Sequence, residues 1–131
     1  MPRNAEGYYL EWLKKAEEDA LSIEAILKEK GAPSTGCFLS QQMAEKYLKG
    51  LLVFHEQSFP KVHDLLQLES LLLDPEPGVG KLHQDLNFLN RYYIETRYPG
   101  DYAEFSWNEC HEAYQSACRV KEFVLSKIPP H

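Results

Sequence analysis

The chain has 131 residues, 44% hydrophobic and 26% charged, which is the size and balance of a single globular domain with one core. Its net charge of −6, with Lys and Arg dispersed, argues against a broad grip on duplex DNA and leaves room only for a local basic pocket. Three cysteines without a CxxC pair, Cys37, Cys110 and Cys118, fit buried thiols in a reducing compartment better than a disulfide framework.

Residues 6–30 read as one amphipathic helix. Tyr9, Trp12, Leu13, Ala16, Ala20, Ile23 and Leu27 recur at three- and four-residue steps opposite a Lys/Glu-rich face. Gly31 and Pro33 predict its end. Ser34 or Thr35 can cap a second helix running to about Gln57, and Pro60 marks the next break. A short third helix is expected over residues 64–73, with Asp64 suited to its N-terminus. Two prolines and two glycines make residues 74–80 the clearest loop. A fourth helix starts near Lys81, carries Leu82, Leu86, Leu89 and Tyr93, and must stop by Pro99. Ser106 and Glu109 have capping-box spacing and open a last helix to about Ile128. Its stripe is Trp107, Cys110, His111, Tyr114, Ala117, Cys118, Val124, Leu125 and Ile128, with His111 expected as a core histidine.

No segment alternates with period two, and no internal repeat is present. The pattern predicts an all-α up-and-down bundle of four long helices plus a short connecting helix. It forms a single domain over residues 1–131, with its core at about 6–128. No stretch approaches the roughly 20 apolar residues of a membrane span, and the first residues lack a signal-peptide core. A cytoplasmic location without membrane contact is expected.

Two polar signatures interrupt the apolar pattern. On a helical wheel Gln41 falls near the middle of the face that Leu48 shares with Cys37, Ala44, Leu51, Leu52 and His55. Glu45 and Lys49 step away along one flank at i+4 intervals. A glutamine and a carboxylate turned toward a core cost stability unless they find partners, and Arg97 is the leading candidate. The plain alternative is a polar edge of a core helix, contributing a few tenths of a kcal/mol per pair.

The second signature is Arg97-Tyr98-Pro99-Gly100-Asp101, where a helix ends. Pro99 and Gly100 are explained as helix stops, and a cation there suits the helix dipole. The arginine type is not, because a guanidinium matters where two oxygens must be held in a plane. Arg97 therefore pairs with Glu45 or binds a phosphate, and the two remain open. Lys49 and Arg97 are the expected phosphate contacts, Tyr98 a stacking surface and His63 a secondary polar group. Gln41, Glu45 and Asp101 are assigned to a structural polar network. Tyr92 and Tyr93 lie near the arginines as stacking or core residues. His55, Glu56, His63 and Asp64 match no His/carboxylate metal spacing, so neither a metal nor a cofactor is expected.

The same residues carry a family resemblance. Trp12-Leu13-x-x-Ala16-x-x-Asp19 is followed by Gln41-Gln42-x-x-Glu45-Lys46-x-x-Lys49, then His63-Asp64-Leu65, then Tyr93 and Arg97-Tyr98-Pro99. That order and spacing, over about residues 8–128, resembles the HEPN domain, named for higher eukaryotes and prokaryotes nucleotide-binding. The resemblance implies a homodimer. It also implies one of three roles: a metal-independent ribonuclease, an accessory partner of a small nucleotidyltransferase in a toxin–antitoxin operon, or a nucleotide-binding module like the sacsin C-terminal domain.

The ribonucleases of this family resemble one another in an arginine followed four to six residues later by a histidine. Here neither Arg91 nor Arg97 has a histidine in that window, and His111 lies beyond the Pro-Gly break. The usual proton acceptor is thus missing from its expected place. The reading favoured is a nucleotide- or RNA-phosphate-binding module, dimeric and partnered with a nucleotidyltransferase. A ribonuclease with an altered catalytic set and a ligand-free helical interaction domain are the alternatives.

Overall fold

The computed structural model describes residues 5–93 and 104–129, with side chains from residue 8 onward. Helix α1 spans Ala5–Glu29 and α2 spans Pro33–Phe54, joined by a tight turn. The sequence places the stop of α1 at Gly31, but the left-handed residue is Lys30, with φ 55°. The Gly31 N–H then closes onto the Ile26 carbonyl at 3.0 Å, which fixes the preceding residue as the one that must turn. α2 begins at Pro33 rather than on a Ser or Thr cap. Proline has no N–H to satisfy at that position, so a side-chain cap is less needed. Ser34 Oγ instead accepts from the Phe105 N–H at 2.8 Å, tying the start of α2 to the segment that leads into α5. At the other end Glu56 adopts φ 57°, and the Gln57 N–H reaches the Leu52 carbonyl at 2.9 Å. The helix therefore closes at Phe54, short of Gln57.

α2 is the central element, packed against α1, α5, α3 and α4. That position accounts for its burial on nearly every side, polar residues included. α1 lays Tyr9, Ala16, Ala20 and Ile23 against it, with Trp12, Leu13 and Leu27 half-buried along the same stripe. The two helices approach most closely at Gly50. A Cβ there would stand 3.1 Å from Leu13 Cδ2 and 3.2 Å from Trp12 Cβ.

Helix α3 spans Leu65–Leu72, and Asp64 caps it by accepting from the Leu66 N–H at 2.9 Å, as the sequence predicts. Residues 74–80, read as a loop, run partly into a 3₁₀ helix over Pro77–Leu82 that leads directly into α4, His83–Asn90. The tighter i→i+3 turn accommodates a short Pro- and Gly-containing segment that an α-helix would not. α4 is shorter than the long fourth helix expected from the sequence, because residues 91 and 92 already form a turn. The end of that predicted helix, with Arg97 and Tyr98, and the Pro99 and Asp101 that follow it lie outside the described residues.

Helix α5 spans Trp107–Lys127 and opens with the predicted capping box. Ser106 Oγ accepts from the Glu109 N–H at 3.0 Å, while the Glu109 carboxylate accepts from the Ser106 N–H at 3.3 Å. Its buried line is Cys110, Ala113, Ala117, Val120 and Val124. His111 and Leu125 each follow a residue of that line and so point about 100° away from the core. His111 is therefore exposed beside Trp107 rather than a core histidine. The described residues form an all-helical bundle, and none of their helices is long and apolar enough to cross a membrane.

The core holds several weak acids in their neutral forms. Burial, reinforced by neighbouring Cys110 and Glu109, pushes the Cys37 thiol up to about 12. Burial also raises Tyr47, whose hydroxyl donates to Glu17, and Tyr92, whose hydroxyl donates to Glu109 at 2.9 Å. An unfolded chain releases these protons at lower pH than the folded one, so stability falls as pH rises. The contribution is fully present below the ordinary thiol value of 9 and drains away above it. Thermal melts should be flat from pH 7 to about 8.5 and then fall steadily to pH 10.5. A melting temperature unchanged up to pH 10.5 would contradict this.

Candidate functional site

The polar residues of α2 meet the segment before α3 and the end of α4 at one place. Glu45, its side chain 5% exposed, is the hub. Lys49 Nζ lies 2.9 Å from Glu45 Oε2, one helical turn along the same face. Gln41 Nε2 donates to Glu45 Oε1 at 3.4 Å and to the His63 carbonyl at 3.0 Å. Gln42 Nε2 donates to Gln41 Oε1 at 2.7 Å. His63 Nδ1 is 3.1 Å from both Glu45 oxygens. The glutamine that the wheel turned inward is thus fully buried and clamps the backbone of the residue whose ring Glu45 holds.

His63 is set by three further contacts. Its ring stacks on Tyr93, centroids 4.4 Å apart and planes 13° from parallel. The following residue, Asp64, accepts from Asn90 Nδ2 at 2.9 Å, while Asn90 Oδ1 accepts from the Leu65 N–H at 2.9 Å. Asn90 therefore pins the loop to the end of α4. These residues line an open cleft of about 450 Å³ formed by Lys61, Val62, His63, Asp64, Asn90 and Tyr93.

The other polar residues that the sequence singles out do not line the cleft. Lys49 sits between the Trp12 and Phe59 rings, 5.6 and 5.4 Å from their centroids, with only 8% of its side chain exposed. Lys46 pairs with Asp19 at 2.7 Å, which accounts for the acidic residue of the α1 motif. His55 pairs with Glu76 at 2.9 Å, away from His63. Arg91 is exposed and rests over Phe88, at 4.9 Å.

The structure thus brings together Gln41, Glu45, Lys49 and His63. Arg97, Tyr98 and Asp101 lie outside the described residues. Sequence reasoning quoted Gln42 in the α2 motif without giving it a role, and it missed Lys61 and Asn90. Of those two only Asn90, a polar residue one position after the buried Leu89, carried a signal.

A HEPN domain profile matches residues 9–128, nearly the whole length. The chain belongs to the HEPN domain family. Two solved structures support the assignment over almost the entire fold. ST0689, an archaeal HEPN homologue, is 29% identical with a TM-score of 0.73, covering 98% of this chain and all of that one. TT1696 from Thermus thermophilus is likewise 29% identical, with a TM-score of 0.78, covering 92% of this HEPN domain and 98% of that chain. Comparison with curated proteins yields no match.

Chemically, the HEPN domain presents an imidazole braced by a buried carboxylate at the wall of an open cleft. A carboxylate paired with an ammonium is an acceptor only, so His63 Nδ1 must donate to it. Nε2 is then the polar ring atom left for the cleft, and it has no partner among the described residues.

Proposed function

We propose that this HEPN domain binds nucleotide or RNA phosphate without cleaving it, as the homodimeric accessory partner of a small nucleotidyltransferase of the toxin–antitoxin type. The observation that carries the binding reading is His63, held by Glu45 and Tyr93 at the wall of a cleft large enough for a phosphate group. His63 and Arg97 are the proposed direct contacts and Tyr98 the stacking surface, with Lys49 acting through its pair with Glu45. The protein is acidic overall, so anion attraction is confined to this locality. Dimerisation and the nucleotidyltransferase partner rest on the family resemblance. A dimer needs only one self-complementary surface.

The test is titration with ATP, GTP and short RNAs at low salt. Binding is expected to be salt-sensitive and reduced by Arg97→Ala and by His63→Ala with the fold retained. No binding, or equal binding by both variants, would refute the site. Light scattering should give twice the 15.2 kDa chain mass, and a concentration-independent monomer mass would refute the dimer. A nucleotidyltransferase encoded beside the gene would support the partnership.

The braced imidazole also favours a second reading, a ribonuclease with an altered catalytic set. A carboxylate on Nδ1 fixes the tautomer in which Nε2 can accept a proton. Metal-independent RNA cleavage lost in His63→Ala would establish that reading over the first.

A further inference from the structure

We propose that the outer face of the α3–α4 hairpin carries a track for single-stranded RNA that leads out of the cleft. This rests on the phosphate-binding reading above and extends its ligand from one phosphate to a strand. The first observation is where the carboxylates lie. The chain has 20 Asp and Glu against 14 Lys and Arg. α1 exposes Glu11, Glu17, Glu18, Glu24 and Glu29, and α5 exposes Glu112 and Glu122. Among the described residues, which include all of α3 and α4, those two helices expose no carboxylate. Their exposed positions are Gln67, Ser70, His83, Gln84 and Asn87. The acids they do carry are turned to protein partners. Glu69 is buried and holds His83 Nδ1 at 2.9 Å, while Asp85 accepts from Arg119 and Ser116 of α5, each at 2.8 Å. At the cleft end, exposed Asp64 has one oxygen engaged by both the Leu66 N–H and Asn90. Asp74 bounds the face at the other end, in the turn after α3.

The second observation is continuity. His83, Asn87 and Asn90 follow one another at i, i+4 and i+7, as one row along α4. Asn90 lines the cleft, so the row starts there and runs about 10 Å to His83, at 1.5 Å per residue. Bonds across the hairpin fix both ends, Asn90 to Asp64 and His83 to Glu69. Cations flank the row at the cleft end. Lys61 lines the cleft, and Arg91 lies over the Phe88 ring, 4.9 Å from its centroid.

A strand of RNA carries a negative charge at every phosphate, and an exposed carboxylate repels it. On an acidic protein, a face whose acids are all buried or paired is therefore where it can lie. The amides of Gln67, Gln84 and Asn87 both donate and accept, which matches the 2′-hydroxyl and the edges of unpaired bases. A guanidinium held flat on a ring can stack a base on its open side. None of these contacts requires a particular charge on His63 or His83. A protein partner would ask for apolar anchors at the centre of the face. No apolar residue of α3 or α4 is exposed, and Leu66, Leu71 and Phe88 are half-buried.

Fluorescence anisotropy of a labelled, unstructured octaribonucleotide with the full chain tests this, with adenosine 5′-monophosphate and unlabelled di-, tetra- and octaribonucleotides as competitors. In the wild type, affinity should rise about tenfold from the mononucleotide to the octamer. Gln84→Glu and Asn87→Asp keep the shapes of two exposed side chains and each add a carboxylate to the face. Together they should weaken octamer binding about tenfold and leave mononucleotide binding unchanged. Gln115→Glu, an equal single charge change at an exposed position of α5, should bind as the wild type does. An octamer that binds no better than the mononucleotide would overturn the track and leave the cleft reading intact. Octamer affinity unchanged in the folded double variant would do the same and turn the search to a protein partner for this face. An equal loss in Gln115→Glu would also overturn it, since the effect would then be one of net charge. Should the double variant fail to fold by circular dichroism, the length dependence in the wild type decides. Failure of adenosine monophosphate, ATP, GTP and every oligomer to bind would overturn this inference and the binding reading together.

Discussion

Glu45→Ala should cost this protein about 3–5 kcal/mol, because it leaves the Lys49 ammonium buried without a counter-charge. Lys49 has few ways to escape. Its side chain is 8% exposed and its Nζ is flanked by the Trp12 and Phe59 rings, so reaching water requires α1 and the 55–64 segment to move. The same truncation frees His63 Nδ1 and removes one acceptor from Gln41. The loss is a large share of the 5–15 kcal/mol that ordinarily separates folded from unfolded states. Lys49→Ala should cost less, since Glu45 keeps hydrogen bonds from Gln41 and His63. The double variant Glu45→Ala/Lys49→Ala should then lose about 2 kcal/mol less than the sum of the singles. Urea denaturation followed by circular dichroism measures all four corners of the cycle. Strict additivity would show that the two groups do not stabilise each other.

What the sequence made legible was local. Asp64 and the Ser106/Glu109 pair were readable because a cap needs only residues two or three positions apart. Gln41, Glu45 and Lys49 were readable as one face for the same reason, since i+4 spacing fixes it. Which distant residue would complete them was not. His63 lies in an irregular segment with no periodicity to give its direction, and the Gln41 and Asn90 bonds together with the Tyr93 ring turn it onto Glu45. The short α4 was equally hidden. Its apolar residues Leu86 and Leu89 suit a longer helix, but the Asn90 side chain is committed to Asp64 and the Leu65 N–H. His111 failed differently. A wheel drawn through both Cys110 and His111 made the apolar stripe too wide, and the core takes only one side of it.

Gly36→Ala should destabilise the protein, and Cys110→Ala should rescue it. Gly36 is buried in the first turn of α2, where the helix faces α5. A Cβ built there would overlap Cys110 Sγ, while the Cys110 Cβ stands 4.0 Å away and Ile26 Cγ2 3.7 Å away. The obstruction is therefore one sulfur atom. In a packed core such an overlap ordinarily costs about 1–3 kcal/mol through displaced side chains and backbone. Alanine gains about 1 kcal/mol over glycine as a helix former, which offsets only part of it. Cys110→Ala alone should also cost stability, because it removes a fully buried sulfur and the contact with the Cys37 thiol. Together the two changes put a methyl group close to where the sulfur was. The double variant should then melt above Gly36→Ala and within a few degrees of the wild type, at about 2–4 °C per kcal/mol. If the two losses simply add, the helices are not packed through this atom pair.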